Sequence, residues 1–440
     1  MISTNKEHSQ LLSNLNLSPE ERLLVLCARL NLNEEQRAEL NALVSASPDW
    51  EELMNRVQWQ MSIMVFHHLR TLDHPELVPA RVMDWFKSSY LSNVGRNLFF
   101  QAELRKVLET LTAAGIPAIP LKGSVLAPTV YRDIGLRPMS DLDILVPHQD
   151  ADRADAVVRE LGYRPGVDQQ TQEEMRQSDR QLAALIGVGK PVIVEIHPHI
   201  TEVDNPLRFD ISGFWERARP LRIAGVDSLT LSPEDFLTHL AVNFFKDRHF
   251  YGFSALGQLC DIAEMIKLHL EELDWTGLVR EGEAAGLVGP LFCALYLARH
   301  LLEAPIPDQV LEELEPAGFN PREALRMVRL RVLGDQWVAK ALVAPGHAYH
   351  WWTIPIVMLR RVFPSPRYLV ERYHGSGQTP VRPREILGLY WRSVKDALSI
   401  ARRSLRQPRA MREDLAVDRW LHSLYGDQKN GKARKRANAQ

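Results

Sequence analysis

Asp141 and Asp143 lie at i and i+2 in the stretch SDLDILVP, whose alternation of polar and apolar residues reads as a β-strand. Side chains alternate along a strand, so both acids point to one face while Leu142 and Ile144 point to the core. A third acid, Glu195, alternates with Val194 and Ile196 in PVIVEIHPHI, so a neighbouring strand would bring it beside the pair. Converging carboxylates are the hard oxygen ligands that Mg²⁺ or Mn²⁺ takes. Two such ions suit an in-line attack at the α-phosphorus of a nucleoside triphosphate, one activating the attacking oxygen and the other holding the triphosphate.

Phosphate binding needs other residues, and they lie upstream. Gly123 permits close backbone approach, and Ser124 offers a hydroxyl as the expected N-cap of a short helix running to Tyr131. Lys122 and Arg137 are placed to neutralise phosphate charge. Singly, each feature has a plainer reading. Asp-x-Asp is common at solvated strand ends, Lys-Gly-Ser is a turn, and Asp133 is a turn residue before Gly135. His197 and His199 read as hydrogen-bonding strand residues before they read as ligands. It is the ordered combination that points to nucleotidyl transfer.

The elements that must position these groups follow from periodicity. Leu23, Leu24, Cys27 and Leu30 form one helical stripe, and Leu53, Val57, Met61 and Met64 another. A longer helix is expected from Trp85 to Ala114, stopped by Gly115 in the C′ position. Then come a strand in IPAIPLKG, the short helix, the DLDILV strand, a helix over Asp150–Leu161, and strands in LAALIGV and PVIVEIHPHI. SPED opens a return to helices, with Ser232 as N-cap and Pro233 at N1. The order describes an α/β unit between helical regions. The expected divisions are 1–88 helical, 89–228 the α/β core, 229–425 helical, and 426–440 a disordered basic tail ending in KARKRANAQ.

The 440 residues suffice for two or three domains, and a net charge of −2 creates no field that would draw nucleic acid, which is not an expected partner. Cys27, Cys260 and Cys293 make no metal or redox motif and read as buried thiols of a reducing compartment. No signal peptide or membrane-spanning run is visible, so the expected location is cytoplasmic. Trp351 and Trp352, ahead of Arg360 and Arg361, belong either to a core-packing helix or to a membrane or partner contact.

The segment IPAIPLKGSVLAPTVYRDIGLRPMSDLDILV resembles the signature of the uncharacterised nucleotidyltransferase family within the DNA polymerase β superfamily. The matching positions are Leu121-Lys122-Gly123, Tyr131, Gly135, Arg137, Asp141-Leu142-Asp143 and Glu195-Ile196-His197. Weaker likeness extends to Asp49-Trp50, Gly115-Ile116-Pro117, the Cys260-Asp261-Ile262-Ala263 helix and FPSPRYLVERY. Asn243 stands where the family's pattern has a histidine, with His249 nearby. The resemblance implies an α+β fold with a mixed-sheet polymerase β-type core flanked by helical regions. It also implies that Asp141, Asp143 and Glu195 are metal ligands and catalytic residues, while Gly123 and Ser124 hold triphosphate.

The expected activity is a Mg²⁺- or Mn²⁺-dependent nucleotidyltransferase that moves an NMP, most simply AMP from ATP, to a hydroxyl of a small molecule or protein. Two alternatives stand beside it. A non-catalytic member would bind nucleotide or a partner without turnover. A glycosyltransferase would use Asp-x-Asp for a nucleotide-sugar, leaving Lys-Gly-Ser and Glu195 unexplained.

Overall fold

The computed structural model describes residues 15–57, 59–167, 172, 182–201, 209–246 and 253–333, and beyond these 391, 413, 416–417, 420–421 and 423–424. Outside the described residues lie His249, the Trp351–Trp352 segment, the Pro364–Pro383 region with FPSPRYLVERY, and the basic tail. Two compact units divide the chain. The described part of the first falls within Met1–Arg248, Phe253–Leu325 and Leu421–Gln440, that of the second within His249–Gly252 and Arg326–Trp420. Everything that follows concerns the first.

Its N-terminal part is helical: α1 (Pro19–Cys27), α2 (Glu34–Ser45), α3 (Trp50–Arg56) and α4 (Trp59–Leu69). Ser18 and Glu21 close a reciprocal capping box on α1, as Asn33 and Gln36 do on α2. The second apolar stripe is divided between two helices, because Val57 leaves helical geometry after α3. Helix α5 (Ala80–Ala113) is 34 residues long, about 50 Å at 1.5 Å per residue. It starts before the expected Trp85 and stops where Gly115 takes a positive φ of 68°.

A five-stranded sheet follows, built from β1 (Ile119–Pro120), β2 (Leu142–Leu145), β3 (Tyr163–Pro165), β4 (Leu185–Gly187) and β5 (Ile193–His197). The spatial order is β1-β2-β5-β4-β3, with β2 and β5 parallel and the other pairs antiparallel, a mixed sheet. Helix α6 (Gly123–Leu126) links β1 to β2 and widens by one residue per turn over Ala127–Tyr131, while α7 (Ala151–Glu160) links β2 to β3. Pro128 explains the widening, since it has no N–H for the Ser124 carbonyl four residues back. Gln101 Nε2 of α5 donates to that carbonyl instead (3.3 Å).

After α8 (Ser212–Glu216) a hairpin pairs β6 (Arg219–Ile223) with β7 (Val226–Thr230). Its turn, Ala224-Gly225, has positive φ at both positions, the geometry of a two-residue hairpin turn. That hairpin and β3 extend the β structure beyond the strands expected. Helices return as α9 (Pro233–Lys246), α10 (Phe253–Leu268), α11 (Trp275–Ala285), α12 (Val288–Leu302) and α13 (Asp308–Leu314). Ser232 caps α9, its Oγ accepting from the Asp235 N–H at 3.2 Å. The three cysteines are free and buried, and burial pushes their thiols up.

Glu103, 2% exposed on α5, ties that helix to the far edge of the sheet. It accepts from Tyr163 Oη (2.7 Å), Lys190 Nζ (2.6 Å) and Lys106 Nζ (2.6 Å). Burial alone would raise its pKa, but these donors outweigh it and hold the carboxyl at about 2. The folded-state pKa is depressed, so the stabilisation is complete above the ordinary value of 4.5 and is lost as pH falls from there toward 2. Glu103→Gln is therefore expected to cost on the order of 3 kcal/mol at neutral pH. The difference from the parent should vanish near pH 2, as denaturant melts across pH would show.

Candidate active site

Strand register builds the centre of the site. Asp143 on β2 pairs directly with Glu195 on β5, and Leu145 pairs with His197. Glu195 and His197 share a face because they are two residues apart on one strand. His197 Nε2 donates to Asp143 Oδ1 at 2.8 Å and lies 3.4 Å from Glu195 Oε2. One ligand atom from each of Asp143, Glu195 and His197 falls within 4.8 Å of the others, so the group could hold a metal ion.

Asp143 is 2% exposed. It also accepts from Lys122 Nζ, again at Oδ1 and 2.8 Å. Burial would raise the Asp143 pKa, yet Lys122 and His197 overcome it and hold the carboxylate far below its usual range. Burial would likewise lower His197 and Lys122. The hydrogen bonds to Asp143 and Glu195 raise the imidazole, and Asp143 with Asp141 raises the ammonium. For Glu195 burial opposes ionisation, but the His197 hydrogen bond wins and lowers its pKa. Asp141 goes the other way: burial and the Asp143 charge push it up to about 6, with Lys122 pulling it down. Opposite shifts in neighbouring carboxyls mark a site where the backbone concentrates charge.

Asp141 does not sit within the strand ladder. Strand β2 begins at Leu142, and Asp141 caps its start, half-buried, accepting from Ser140 Oγ at 3.0 Å. Its position is therefore set by the preceding loop. Lys122 and Gly123 form the turn between β1 and α6, anchored by the Leu121 N–H donating to the Asp143 carbonyl (2.9 Å). Lys122 has φ of 49° and ψ of −129°, a costly conformation for a non-glycine residue, which turns its ammonium onto Asp143. At Gly123 a Cβ would stand 2.8 Å from Met139 Cγ, so only glycine lets the Met139 loop pack against the turn.

Ser124 lies inside the first turn of α6, and Lys122 occupies the cap position expected of the serine. The left-handed bend at Lys122 moves the cap two residues earlier. Ser124 is 1% exposed, and its Oγ is a buried polar atom with no hydrogen-bond partner among the described residues. Such atoms are rare and mark a place where a further group is accommodated. Within that turn the Val125 and Leu126 N–H groups donate to the Lys122 carbonyl (3.1 and 2.9 Å), while those of Gly123 and Ser124 come too early to bond within the helix.

Arg137 lies beside the Gly123 turn, its Nη1 3.5 Å from where a Cβ on that glycine would stand, and it feels the Asp141 charge. Its Nε donates to both Asp261 oxygens at 2.9 Å, Nη2 sits 2.8 Å from Oδ2, and Nη1 donates to the Pro138 carbonyl. The guanidinium is thus taken up by an acid on α10 and frames the loop. His199 turns to another partner, donating to the Phe209 carbonyl at 2.7 Å. Asn243 of α9 is half-buried.

A mixed α/β fold whose central parallel strands carry an acidic group able to hold a metal ion is consistent with the nucleotidyltransferase fold. The chain belongs to the family described as uncharacterised nucleotidyltransferase, which it matches over residues 46–303. Membership makes it a transferase with a nucleotide as substrate, and the likeness carried by the central motif is thereby shown. No curated protein and no solved structure matches it. Among the described residues no helix is long and apolar enough to cross a membrane.

His197, expected as a hydrogen-bonding strand residue before a ligand, does bond a carboxylate, and it also joins the central group. Its spacing from Glu195 was the available signal, since residues at i and i+2 on a strand share a face. Asp261 had no signal of that kind.

Proposed function

We propose that the chain is a Mg²⁺- or Mn²⁺-dependent nucleotidyltransferase that moves AMP from ATP onto a hydroxyl of a small molecule or protein. The observation that carries this reading is the direct pairing of Asp143 with Glu195, with the Lys122 ammonium already seated on Asp143. In this reading residues 89–228 are a polymerase β-type core that lies in the chain between helical regions 1–88 and 229–425. The three buried free thiols favour the cytoplasm as its location.

Asp141, Asp143 and Glu195 would hold the metal, with His197 fixing the Asp143 carboxylate through Nε2. Bound ions would polarise the α-phosphate and make the acceptor hydroxyl more acidic. Gly123 and Ser124 supply backbone N–H groups and a hydroxyl for the triphosphate, and the partnerless Ser124 Oγ supports that role. Lys122 would pass from Asp143 to a phosphate oxygen as the triphosphate arrives. Arg137, with Nη1 beside Gly123, would help neutralise phosphate charge while it holds the loop. The acceptor oxygen attacks the α-phosphorus, its proton goes to Glu195, and the bond to the bridging oxygen breaks to release pyrophosphate.

The test is incubation of the protein with ATP labelled at the α-phosphate, in cell extract with Mg²⁺ or Mn²⁺. A labelled acceptor together with equimolar pyrophosphate is the expected result. Tight ATP binding with no label transferred under any condition would sink the catalytic reading in favour of a nucleotide-binding one.

A further inference from the structure

We propose that Asp261, on α10, is a positioning residue for the metal centre: through Arg137 it holds the loop that carries Asp141 and closes on Gly123. The inference rests on the nucleotidyltransferase reading above, and extends the site to a helix far downstream of its acids in the chain.

Asp261 is 1% exposed, a charge taken fully out of water in the helical region that follows the sheet. Its Oδ1 accepts from Tyr131 Oη (2.7 Å), Arg137 Nε (2.9 Å) and Gln60 Nε2 (3.3 Å), and its Oδ2 accepts from Arg137. Gln60 Nε2 also donates to Tyr131 Oη at 3.0 Å. Gly257, one turn before Asp261, leaves room for Gln60, for a Cβ there would stand 2.6 Å from its Oε1. One carboxylate therefore ties α4, the end of α6 and the Arg137 loop to α10. Burial of an ion pair is costly unless its geometry is good and its remaining lone pairs are satisfied, and here they are.

The consequence for the site follows from the chain itself. Residues 137–140 run directly into Asp141, which has no strand pairing of its own. Asn97 Nδ2 of α5 donates to the Ile134 and Arg137 carbonyls (2.5 and 2.7 Å), gripping the loop from the other side. Met139, 2% exposed, is the residue that a Cβ at Gly123 would strike. Asp261 thus reaches both the acid and the Gly123 turn through this short loop, while touching neither.

Mn²⁺ alone is the discriminating probe, because neither Arg137 nor Asp261 is a candidate ligand. Its affinity is read by EPR on the full chain for the parent, Arg137→Lys and the double variant Arg137→Met/Asp261→Leu, with thermal melts alongside. The double variant removes both buried charges with apolar side chains, which spares stability. Arg137→Lys keeps the charge and loses the fork. Both are expected to melt near the parent yet bind Mn²⁺ about tenfold more weakly, the usual cost of losing an outer-layer support. Should the double variant fail to fold, Arg137→Lys decides alone. Parent-like Mn²⁺ affinity in the folded variants overturns this inference only. A parent chain that binds no Mn²⁺ overturns the metal-site reading and this inference with it.

Discussion

Asp143→Asn is expected to lower nucleotidyl transfer by roughly 10³-fold or more, and to weaken Mn²⁺ binding in parallel. The substitution preserves shape and removes the one charge on which the site converges. Asp143 Oδ1 receives both Lys122 Nζ and His197 Nε2 at 2.8 Å, and these donors hold its carboxyl far below the usual range. An amide there offers a weaker oxygen dipole or an N–H₂ group that repels a cation. Stability should fall as well, since a depressed pKa means that the ionised form supports the fold. Glu195 and Asp141 remain beside Lys122 and His197, so a melt should show a folded protein with a lower midpoint. The measurements are transfer of α-labelled phosphate, Mn²⁺ titration by EPR, and the melt. If Asp143→Asn equals the parent in the first two, the site has been misplaced.

Lys122→Met should separate two effects that most site variants confound. The ammonium is itself a cation inside a group of acids, 2.8 Å from Asp143 Oδ1. Removing a unit charge at that range eliminates a competitor, so Mn²⁺ affinity without nucleotide should rise about tenfold. With ATP present the sign reverses. The lysine that neutralised Asp143 is then needed on phosphate, and ATP affinity or turnover should fall by about 10- to 100-fold. The backbone at Lys122 points the same way, because φ of 49° is held against the preference of an L-residue. Calorimetry of Mn²⁺ alone and of ATP with Mn²⁺ reads both signs. Weaker Mn²⁺ binding without nucleotide would mean that the ion pair organises the site for metal, and the hand-over from Asp143 to phosphate would be wrong.

Much of the site was legible because its rules are local. Alternation along DLDILV put the acids on one face, and the same alternation made Glu195 a partner. Gly115 ended α5 and Ser232 opened α9, as helix-terminus chemistry requires. The residues whose roles shifted are those next to irregular backbone. Ser124 gave up the cap position to Lys122 once the turn went left-handed, and Asp141 fell just outside the strand. The β6–β7 hairpin had a signal, two alternating runs about Ala224-Gly225, but a turn without Asn-Gly or Asp-Gly is easily passed over.

The sequence by itself determined which chemistry is available: an acid pair on a strand, a third acid on a later strand, and a Lys-Gly-Ser turn ahead of them. Spacing along the chain suffices for that, because side-chain direction in regular elements depends on neighbours two to four residues away. The tertiary structure alone decided how those groups meet. The parallel register that sets Asp143 against Glu195 joins strands about 50 residues apart, and it brings His197 inward with them. Arg137 meets Asp261, 124 residues on, because a buried guanidinium must find an equally buried counter-charge. Nothing near Arg137 in the chain encodes that acid; packing α10 against the motif does.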